Sequence, residues 1–523
     1  MRLKWVRENW PLVVAIAFLW WNLAVILERS LSVTGGRVVY GLDDAYIHMA
    51  LAKHLVQDGV LGVTKYGFSS SQSSLLWPLL VALPYLLVGP SEIVPLALNI
   101  VFATLLVGLM FLLLKRAQLP SVYILLVLVE LIIFVPLPWL VFTGMEHVLQ
   151  ASVDLAFVCL CIQALTRQDQ PRTNAVLMLA LTPLITAIRY EGLFLIAAVM
   201  PLFLLRRRWA LAIALAGLAA VPLAAYGVVA IAHGGRWLPN SVLLKSACLG
   251  LAGEMKGLEL AAQSRVWQVA VPCALLFGYG LLRRRGIWRR EQLALLVFLV
   301  VLGMQVLLAK AGLLRYDAYL ATLGIYALAV SVFAALRSTR LSDRARLRAA
   351  LAATGALLLM PIGQHGLYTI TVTHITVANI YQQQYQMGRF YRQYYQGEAV
   401  AANDIGAVDY LADIKLLDLW GLGTPEVAAA RLSRTYDTAT IRRLARAKGV
   451  KVAIAYRGWF TPFGGLPREW VMVGKWRIPV NLICAGDTVT FYAVDPAEAP
   501  ILRRHLLDFS SQLPPQVKQT MFQ

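Results

Sequence analysis

The run "PLVVAIAFLWWNLAVIL", residues 11–27, decides the fold class of this 523-residue chain. It holds no charged residue and is long enough to cross the hydrocarbon core of a bilayer as an α-helix. A basic segment precedes it, and Glu28 and Arg29 follow it in place of the small-residue site at which a secretory signal is cleaved. The run is therefore predicted to be a retained first helix with its N-terminus in the cytoplasm.

Similar apolar runs recur along most of the chain, of which 59% is hydrophobic and only 15% charged. This composition excludes a soluble enzyme of this size and predicts a polytopic α-helical membrane protein with about eleven transmembrane helices. After the first run, the predicted spans are 94–114, 122–138, 148–165, 174–188, 191–205, 209–231, 267–282, 293–309, 316–336 and 347–362.

The net charge of +20 is concentrated in short segments between the apolar runs, such as "RRR" at 206–208 and "RRRGIWRR" at 283–290. Basic loops of this kind stay on the cytoplasmic side of a membrane, so the charge reports topology and nucleic acid is excluded as a partner. The apolar stretch 75–88 is short and contains two prolines. A crossing there would move every later basic loop outside, so an interfacial or re-entrant helix is predicted instead.

This topology divides the chain into a transmembrane domain, residues 1–364, and an extracytoplasmic domain, residues 365–523. The second has ordinary composition, with strand-like runs such as "DTVTFYAV" at 487–494, and predicts a small soluble α/β domain. The expected location is the inner (plasma) membrane. The segments predicted to face outward are the first outer loop 28–91 with its interfacial helices, then 142–147, 188–192, 233–246 and the C-terminal domain.

The first outer loop contains the stretch "GLDDAYIHMALAKHL", residues 41–55. Asp43 and Asp44 stand where a helix begins, and one interpretation is an N-cap and a first-turn acid that the helix dipole favours. The other interpretation is catalytic, because a carboxylate at the edge of the bilayer can deprotonate an acceptor hydroxyl. Tyr46 and His48 lie beside the pair, and His48 is one helical turn beyond Asp44.

Further charged residues stand at the predicted outer ends of other helices, where ionisable groups usually mark a site. Arg189, Lys245 and Arg315 are the candidates for holding a phosphate, arginine through its planar fork and lysine as a point charge. Local ion pairing at the membrane surface is the alternative interpretation for each of them. The remaining candidates for lining a pocket on this face are Glu146, His147, Glu191 and Asn240.

Nucleotide and metal motifs are missing from the sequence: there is no Walker A, GxGxxG, HExxH or CxxC. No predicted cytoplasmic loop is long enough to fold a nucleotide-binding domain, so a sugar donor would have to reach the outer face attached to a lipid. No metal site is predicted and no cofactor is required. Asp43, Asp44 and Glu146 leave a divalent cation open, although no ligand spacing compels one.

In chain order, "DDAYIHMA" (43–50), "TGMEHVLQ" (143–150), "RYEG" (189–192), "LPNSVLLKS" (238–246) and "NDIGAVDYLADIKLLDLWGL" (403–422) form a pattern. With this pattern the chain resembles the GT-C superfamily of polyprenyl-phosphate-sugar-dependent glycosyltransferases. Within that superfamily it resembles the branch of the mycobacterial terminal arabinofuranosyltransferase.

The resemblance implies an inverting transfer of a sugar, such as arabinofuranose, from a polyprenyl-phosphate carrier to an extracytoplasmic glycan, lipid or protein. It implies that Asp43 or Asp44 acts as the base and that basic residues at outer helix ends hold the lipid phosphate. The outer domain would be a carbohydrate-recognition platform for the acceptor. A membrane transporter or lipid-linked glycan flippase is the alternative, although such proteins gather polar groups near the bilayer midplane.

Overall fold

A bundle of helices forms most of the molecule, and the computed structural model describes residues 2–167, 171–246, 266–283, 286–308 and 315–522. Long uncharged apolar runs make these helices, and their shared buried side chains form one continuous core. The helices of the bundle and its loops are α1 (Arg2–Glu8), α2 (Trp10–Val33), α3 (Asp44–Gln57), α4 (Trp77–Val88), α5 (Ile93–Arg116), α6 (Ser121–Phe134), α7 (Leu137–Phe142), α8 (His147–Thr166), α9 (Arg172–Ile188), α10 (Gly192–Leu205), α11 (Trp209–Ala232), α12 (Asn240–Ser246), α13 (Trp267–Leu282), α14 (Arg290–Leu308), α15 (Ala318–Arg337), α16 (Asp343–Leu359) and α17 (Pro361–Ile380).

Within the described part of the chain, 6 helices are long and apolar enough to cross a membrane: α2, α5, α8, α11, α14 and α15. A bent pair, α16 followed by the helical stretch Pro361–Tyr394, would make a seventh. The shorter apolar helices α6, α9, α10 and α13 coincide with four further predicted spans. Each predicted span thus overlaps a helix. By length and composition, 6 or 7 helices of the described residues could cross a membrane, fewer than the eleven expected.

Prolines break two of the predicted spans. The span predicted at 347–362 is two helices, α16 and α17, which meet at 56° because Pro361 has no N–H to continue the first helix. The span predicted at 122–138 ends at Phe134, and the short α7 begins after Pro136. These corrections have a local cause that the hydropathy of the segments does not reveal.

One helical rod joins the bundle to the C-terminal domain. From α17 it passes through a π-helical turn, Tyr381–Tyr385, into α18 (Gln386–Tyr394). Ile370 and Val377 of α17 pack in the bundle core, whereas Phe390 of α18 packs in the core of the C-terminal domain. The predicted boundary between 364 and 365 falls inside this rod and stays a prediction.

The C-terminal domain is built on a 6-stranded sheet in the order β2-β1-β3-β5-β4-β6. Its first three strands are parallel and its last three antiparallel. The short apolar runs "AVAA" and "VAIA" suit β1 and β3, which helices cover. The elements are β1 (Ala399–Ala402), α19 (Gly406–Leu411), β2 (Lys415–Asp418), α20 (Pro425–Leu432), α21 (Thr438–Ala447), β3 (Val452–Ala455), β4 (Val471–Arg477), β5 (Thr488–Ala493), α22 (Ala499–Phe509) and β6 (Lys518–Met521).

Helix α3, within the first outer loop, lies between the bundle and the sheet domain, where it packs on both α4 and α19. Trp77 is fully buried at the start of α4 and donates its indole N–H to the carbonyl of Gly144 at 3.0 Å. The far side of α4 is apolar and open, since Leu83 and Leu87 are 60% and 88% exposed. The predicted interfacial position of this helix is not tested by these contacts and stays a prediction.

Candidate active site

Asp44 and Arg315 form an ion pair at the start of α3. The guanidinium Nη2 of Arg315 lies 2.8 Å from the Asp44 carboxylate, whose side chain is 39% exposed. Burial alone would lower the pKa of Arg315, but Tyr316 and Asp44 raise it above its ordinary value, so the guanidinium stays charged. Its other terminal nitrogen, Nη1, is buried and has no hydrogen-bond acceptor among the described residues. That donor remains available to an incoming anion.

Arg189 sits at the centre of a second, more buried group of charges. It donates to Glu146 at 2.8 Å and makes a two-pronged contact with Glu191 at 3.1 and 2.7 Å. Burial opposes charge on Glu146, but His48 and Arg189 outweigh it and lower its pKa to about 2. The same balance lowers the pKa of Glu191, again because of Arg189. Two carboxylates therefore already neutralise Arg189.

Tyr316 links the two groups of charges. Its ring lies 4.9 Å from the Arg315 guanidinium and 5.1 Å from that of Arg189, both within reach of a cation–π interaction. His147 packs edge-on against the same ring at 5.7 Å. We call the connected set Asp44, Glu146, Arg189, Glu191, Arg315 and Tyr316 the ion cluster.

A serine-rich loop closes one side of the ion cluster. Ser73 lies 3.1 Å from the imidazole Nε2 of His48 and donates to Glu146 at 3.4 Å, while His48 itself approaches Glu146 at 3.8 Å. The same loop is pinned to the end of α9, since the N–H groups of Leu75 and Leu76 both reach the carbonyl of Ala187 at 2.9 Å. Side chains from the first outer loop, from 142–147 and from 188–192 thus meet near Arg315, whereas the segment 233–246 contributes none of these contacts.

Asp43 has a different environment from its neighbour. Both of its carboxylate oxygens accept backbone N–H groups of the sheet domain, from Gly406 and Ala407, each at 2.8 Å. Burial and the nearby Asp404 raise its pKa to about 8 in spite of these donors. Burial likewise raises the pKa of Asp404 to about 6, although Gln384 donates to it at 2.8 Å. We call Asp43, Asp404 and the Gly406–Ala407 amides the domain junction.

Three other predicted site residues lie apart from the ion cluster or outside the description. Tyr46 is fully buried among Tyr40, Tyr385 and Tyr410, so the structure gives it aromatic neighbours. Asn240 starts α12, where its N–H donates to the carbonyl of Ser70 at 2.8 Å and its side chain to that of Leu422 at 3.2 Å. The side chain of Lys245 lies outside the described residues.

A divalent cation finds no ready-made site in the part of the chain that the structure describes, where no group of three or more His, Cys, Asp and Glu residues could hold one. Asp43, Asp44 and Glu146, the three residues that could have bound a cation together, each contact a different partner. Asp43 accepts two backbone amides, Asp44 pairs with Arg315, and Glu146 pairs with Arg189. These residues as arranged do not fit a metal, and no reaction step is assigned to one.

Three residues of the site escaped sequence reasoning. Asp404 follows β1, and the carboxyl ends of parallel strands are where α/β sheets usually gather functional groups, so its position carried a usable signal. Tyr316 stands next to Arg315, and an aromatic neighbour of a buried cation is a weaker signal. Ser73 lies in the polar run "SSSQSS" at 69–74, which marks a loop and nothing more.

Comparison with known proteins gives one partial family match and several similar structures. A family model described as a domain of unknown function, DUF8728, matches residues 378–492. No curated protein matches the sequence. ArnT from Cupriavidus metallidurans bound to undecaprenyl phosphate is similar with 12% identity and a TM-score of 0.52, over 92% of this chain and 99% of that one.

Two further structures resemble the chain more loosely. ArnT from the same organism in the apo state has 14% identity and a TM-score of 0.49, over 93% of this chain and 99% of that chain. The arabinofuranosyltransferase AftD from mycobacteria has 12% identity and a TM-score of 0.42, over 91% of this chain but 40% of that chain. The likeness to lipid-bound ArnT confirms the fold class expected from the sequence: the chain has the GT-C fold of a polytopic helical membrane protein with a small C-terminal α/β domain.

Proposed function

We propose that the chain is an integral-membrane inverting glycosyltransferase that takes its sugar from a polyprenyl-phosphate carrier and passes it to an extracytoplasmic acceptor. The observation that carries this proposal is the ion cluster, in which Asp44 and Arg315 stand paired beside a buried guanidinium donor with no acceptor among the described residues. Buried charge is costly at the end of an apolar helix, and a site is the usual reason for it.

The fold supports a lipid-linked donor. ArnT, which shares the GT-C fold, was crystallised with undecaprenyl phosphate. A polyprenyl phosphate presents one anionic group at the membrane surface and an apolar tail within it, and the ion cluster of this chain stands among the ends of α3, α8, α9 and α15. We assign the phosphate to this cluster and the tail to the apolar surface beside α4.

Arg315 is the principal phosphate-binding residue in this proposal. Arg189 already serves two carboxylates, whereas Arg315 serves one and keeps Nη1 unused among the described residues. The donor phosphate is a diester with one negative charge. It would accept from Nη1 and compete with Asp44 for the rest of this guanidinium, as a charge-assisted acceptor does. Donor binding would therefore release the Asp44 carboxylate beside the sugar. Lys245 stays a proposed second cation.

Asp44 is then the base. The acceptor hydroxyl oxygen attacks the anomeric carbon from the side opposite the lipid phosphate, and its proton passes to Asp44. The bond between the anomeric carbon and the phosphate oxygen breaks, and the electron pair leaves with the phosphate, whose charge Arg315 stabilises. Asp43 is engaged by two backbone amides, so it positions α3 against the sheet domain and touches no reacting atom.

The finer features of the proposal follow the sequence resemblance. The sugar is a pentofuranose such as arabinofuranose, and the acceptor is a glycan, lipid or protein outside the cytoplasm. The protein lies in the inner membrane with its N-terminus in the cytoplasm, its transmembrane domain at 1–364 and its extracytoplasmic domain at 365–523. His48, His147 and Glu191 shape the pocket at the ion cluster. Asn240 and Tyr46 lie apart from it, and Tyr46 anchors α3 among Tyr40, Tyr385 and Tyr410.

The test uses wild-type protein in lipid nanodiscs with a synthetic prenyl-phosphoryl arabinofuranose. Wild type should release prenyl phosphate, and Arg315→Gln should release it about 10²-fold more slowly, as for loss of a donor to developing negative charge. The matched control is Arg446→Gln, because Arg446 is 74% exposed and lies in the sheet domain. If wild type releases no prenyl phosphate, or moves the intact lipid across the bilayer instead, the flippase alternative replaces this proposal.

A further inference from the structure

A cleft of mixed polarity opens between the bundle loops and the sheet domain, outside the ion cluster. Its volume is about 280 Å³, close to the lower end of the range for small-molecule sites. The walls come from three segments: the loop at Phe68 and Ser70, the loop after α11, and helix α20. The sequence reasoning singled out Asn240 here and assigned nothing else to this cleft.

One wall presents aromatic rings. Phe68 and His233 stack with their ring centres 5.1 Å apart and their planes at 26°. The two residues after His233, Gly234 and Gly235, have no side chains. Gly235 packs so closely that an added Cβ would lie 3.1 Å from the Phe68 ring, which keeps the wall in place. Flat apolar faces of this kind suit the C–H face of a sugar ring.

The remaining walls are polar and balanced in charge. Arg236 and Glu426 contribute one charge of each sign, and Glu426 is already paired with Lys448 at 3.0 Å. Ser70 and Asn240 also line the cleft, but both are buried: the Ser70 hydroxyl is hydrogen-bonded to Tyr226, and the Asn240 amide donates to the carbonyl of Leu422. A lining with one cation and one anion does not favour a phosphate, which seeks several cations together. It favours a neutral ligand with many hydroxyl groups, each able to donate and accept.

The cleft lies within a short reach of the ion cluster. Ser70 lines the cleft, and three residues later Ser73 contacts His48 and Glu146. Three residues of chain span at most about 10 Å, so the backbones at Ser70 and Ser73 are no farther apart than about two sugar units. Trp237 packs on Gly227 of α11, and this contact holds the loop of the cleft against a helix of membrane-spanning length.

From this arrangement we infer that the cleft binds a neutral sugar unit of the acceptor, next to the unit that receives the transferred sugar. The inference rests on the proposed function, because the distance to the ion cluster is what makes an acceptor the fitting ligand. The ring wall holds the face of the sugar, Arg236 donates to its hydroxyls, and the acceptor chain then runs toward Asp44.

The experiment measures binding of three methyl glycosides by saturation-transfer NMR to the full chain in nanodiscs: the α-arabinofuranoside, the β-galactofuranoside and the α-mannopyranoside. Wild type should bind at least one of them. Ala429→Trp, which fills the cleft from α20, should abolish that binding, and His233→Ala or Arg236→Gln should weaken it about tenfold, the worth of one good contact. The exposed Ala447→Trp on α21 is the matched control and should bind as wild type does.

Three outcomes overturn the inference: no glycoside binds wild type, binding survives Ala429→Trp, or inorganic phosphate displaces the bound glycoside. Donor cleavage by wild type is measured separately with the prenyl-phosphoryl sugar. Donor cleavage without glycoside binding would reject the inference about the cleft and would leave the proposed function unaffected. If a glycoside binds in the cleft but wild type cleaves no donor, the proposed function is rejected. The cleft then remains a glycan-binding site without a transferase activity.

Discussion

The ion cluster and the domain junction meet at the first residues of α3, yet they treat carboxylates in opposite ways. In the ion cluster, cations outweigh burial and lower the pKa values of Glu146 and Glu191. In the domain junction, burial and the charges of neighbouring carboxylates, Asp44 among them, raise the pKa values of Asp43 and Asp404. Adjacent aspartates thus enter two electrostatic environments. One holds fixed charge at neutral pH, as a site for an anionic donor requires, and the other changes its charge there.

The most direct test of this difference is to replace each aspartate in turn by asparagine, which carries no charge. Asp44→Asn should lower kcat for sugar transfer about 10³-fold, because an amide cannot take the proton of the acceptor hydroxyl. Asp43→Asn should lower it by about tenfold or less, because Asp43 acts only through the position of α3. Sugar transfer from the prenyl-phosphate donor measures both, and Asp343→Asn, whose side chain is 99% exposed, is the control.

The reverse ranking would move the base to Asp43 and remove the division between the two groups. Equal losses in the two variants would mean that the aspartates act as one unit. The KM for the donor adds a second readout: in Asp44→Asn it should fall or stay unchanged, since Arg315 then loses its competitor for the phosphate.

The second test breaks the ion cluster itself. Arg189→Gln leaves Glu146, whose side chain is fully buried, without the guanidinium that lies 2.8 Å from its carboxylate. Loss of one partner of a buried ion pair typically costs about 3–5 kcal/mol, so the midpoint of thermal unfolding in nanodiscs should fall by several degrees. The double variant with Glu146→Gln should recover part of that loss, because only Glu191, which is 18% exposed, then keeps a charge without Arg189. A single variant as stable as wild type would show that the cluster is hydrated rather than buried.

The membrane bundle could be predicted from the sequence because the length and polarity of apolar runs are local properties. The same holds for the sheet domain, whose buried parallel strands read as short apolar runs. The breaks at Pro136 and Pro361 are local too, but a hydropathy average hides them. Arg189 and Glu191 pair within one short segment, so their contact was within reach of the sequence.

The different contacts of Asp43 and Asp44 could not be predicted from the sequence. It depends on where α19 and the start of α15 lie, and both are hundreds of residues away in the chain. Sequence reasoning recognised an acidic pair at a helix start and expected either capping or catalysis. In the structure Asp43 caps a helix, but that helix is α19 of another domain rather than its own.

The third test measures the domain junction directly. Asp43→Ala removes both acceptors from the Gly406 and Ala407 amides and should weaken the docking of α19 by about 2 kcal/mol, the usual cost of stranding buried hydrogen-bond donors. Hydrogen–deuterium exchange in the peptide 403–412 should then accelerate by about 30-fold. Asp58→Ala at the far end of α3, where the carboxylate is 31% exposed, is the matched control. Unchanged exchange in 403–412 would mean that Asp43 does not hold the junction.

The smallest expected effect is a pH dependence confined to the domain junction. Its carboxyls have pKa values raised above the unfolded value of about 4, to about 6 for Asp404 and about 8 for Asp43. Such groups stabilise the fold fully below pH 4, and the contribution is lost as pH rises through 6 and then 8. Exchange in 403–412, corrected for its intrinsic pH dependence, should therefore quicken between pH 5 and 9. Asp404→Asn keeps the Gln384 contact but removes one charge, and it should flatten this change.

The ion cluster behaves differently, because the pKa values of Glu146 and Glu191 are lowered. These carboxylates would lose their charge only at acidic pH, outside the range from pH 5 to 9. If exchange around Glu146 varied over the same range instead, the two groups would not be electrostatically separate.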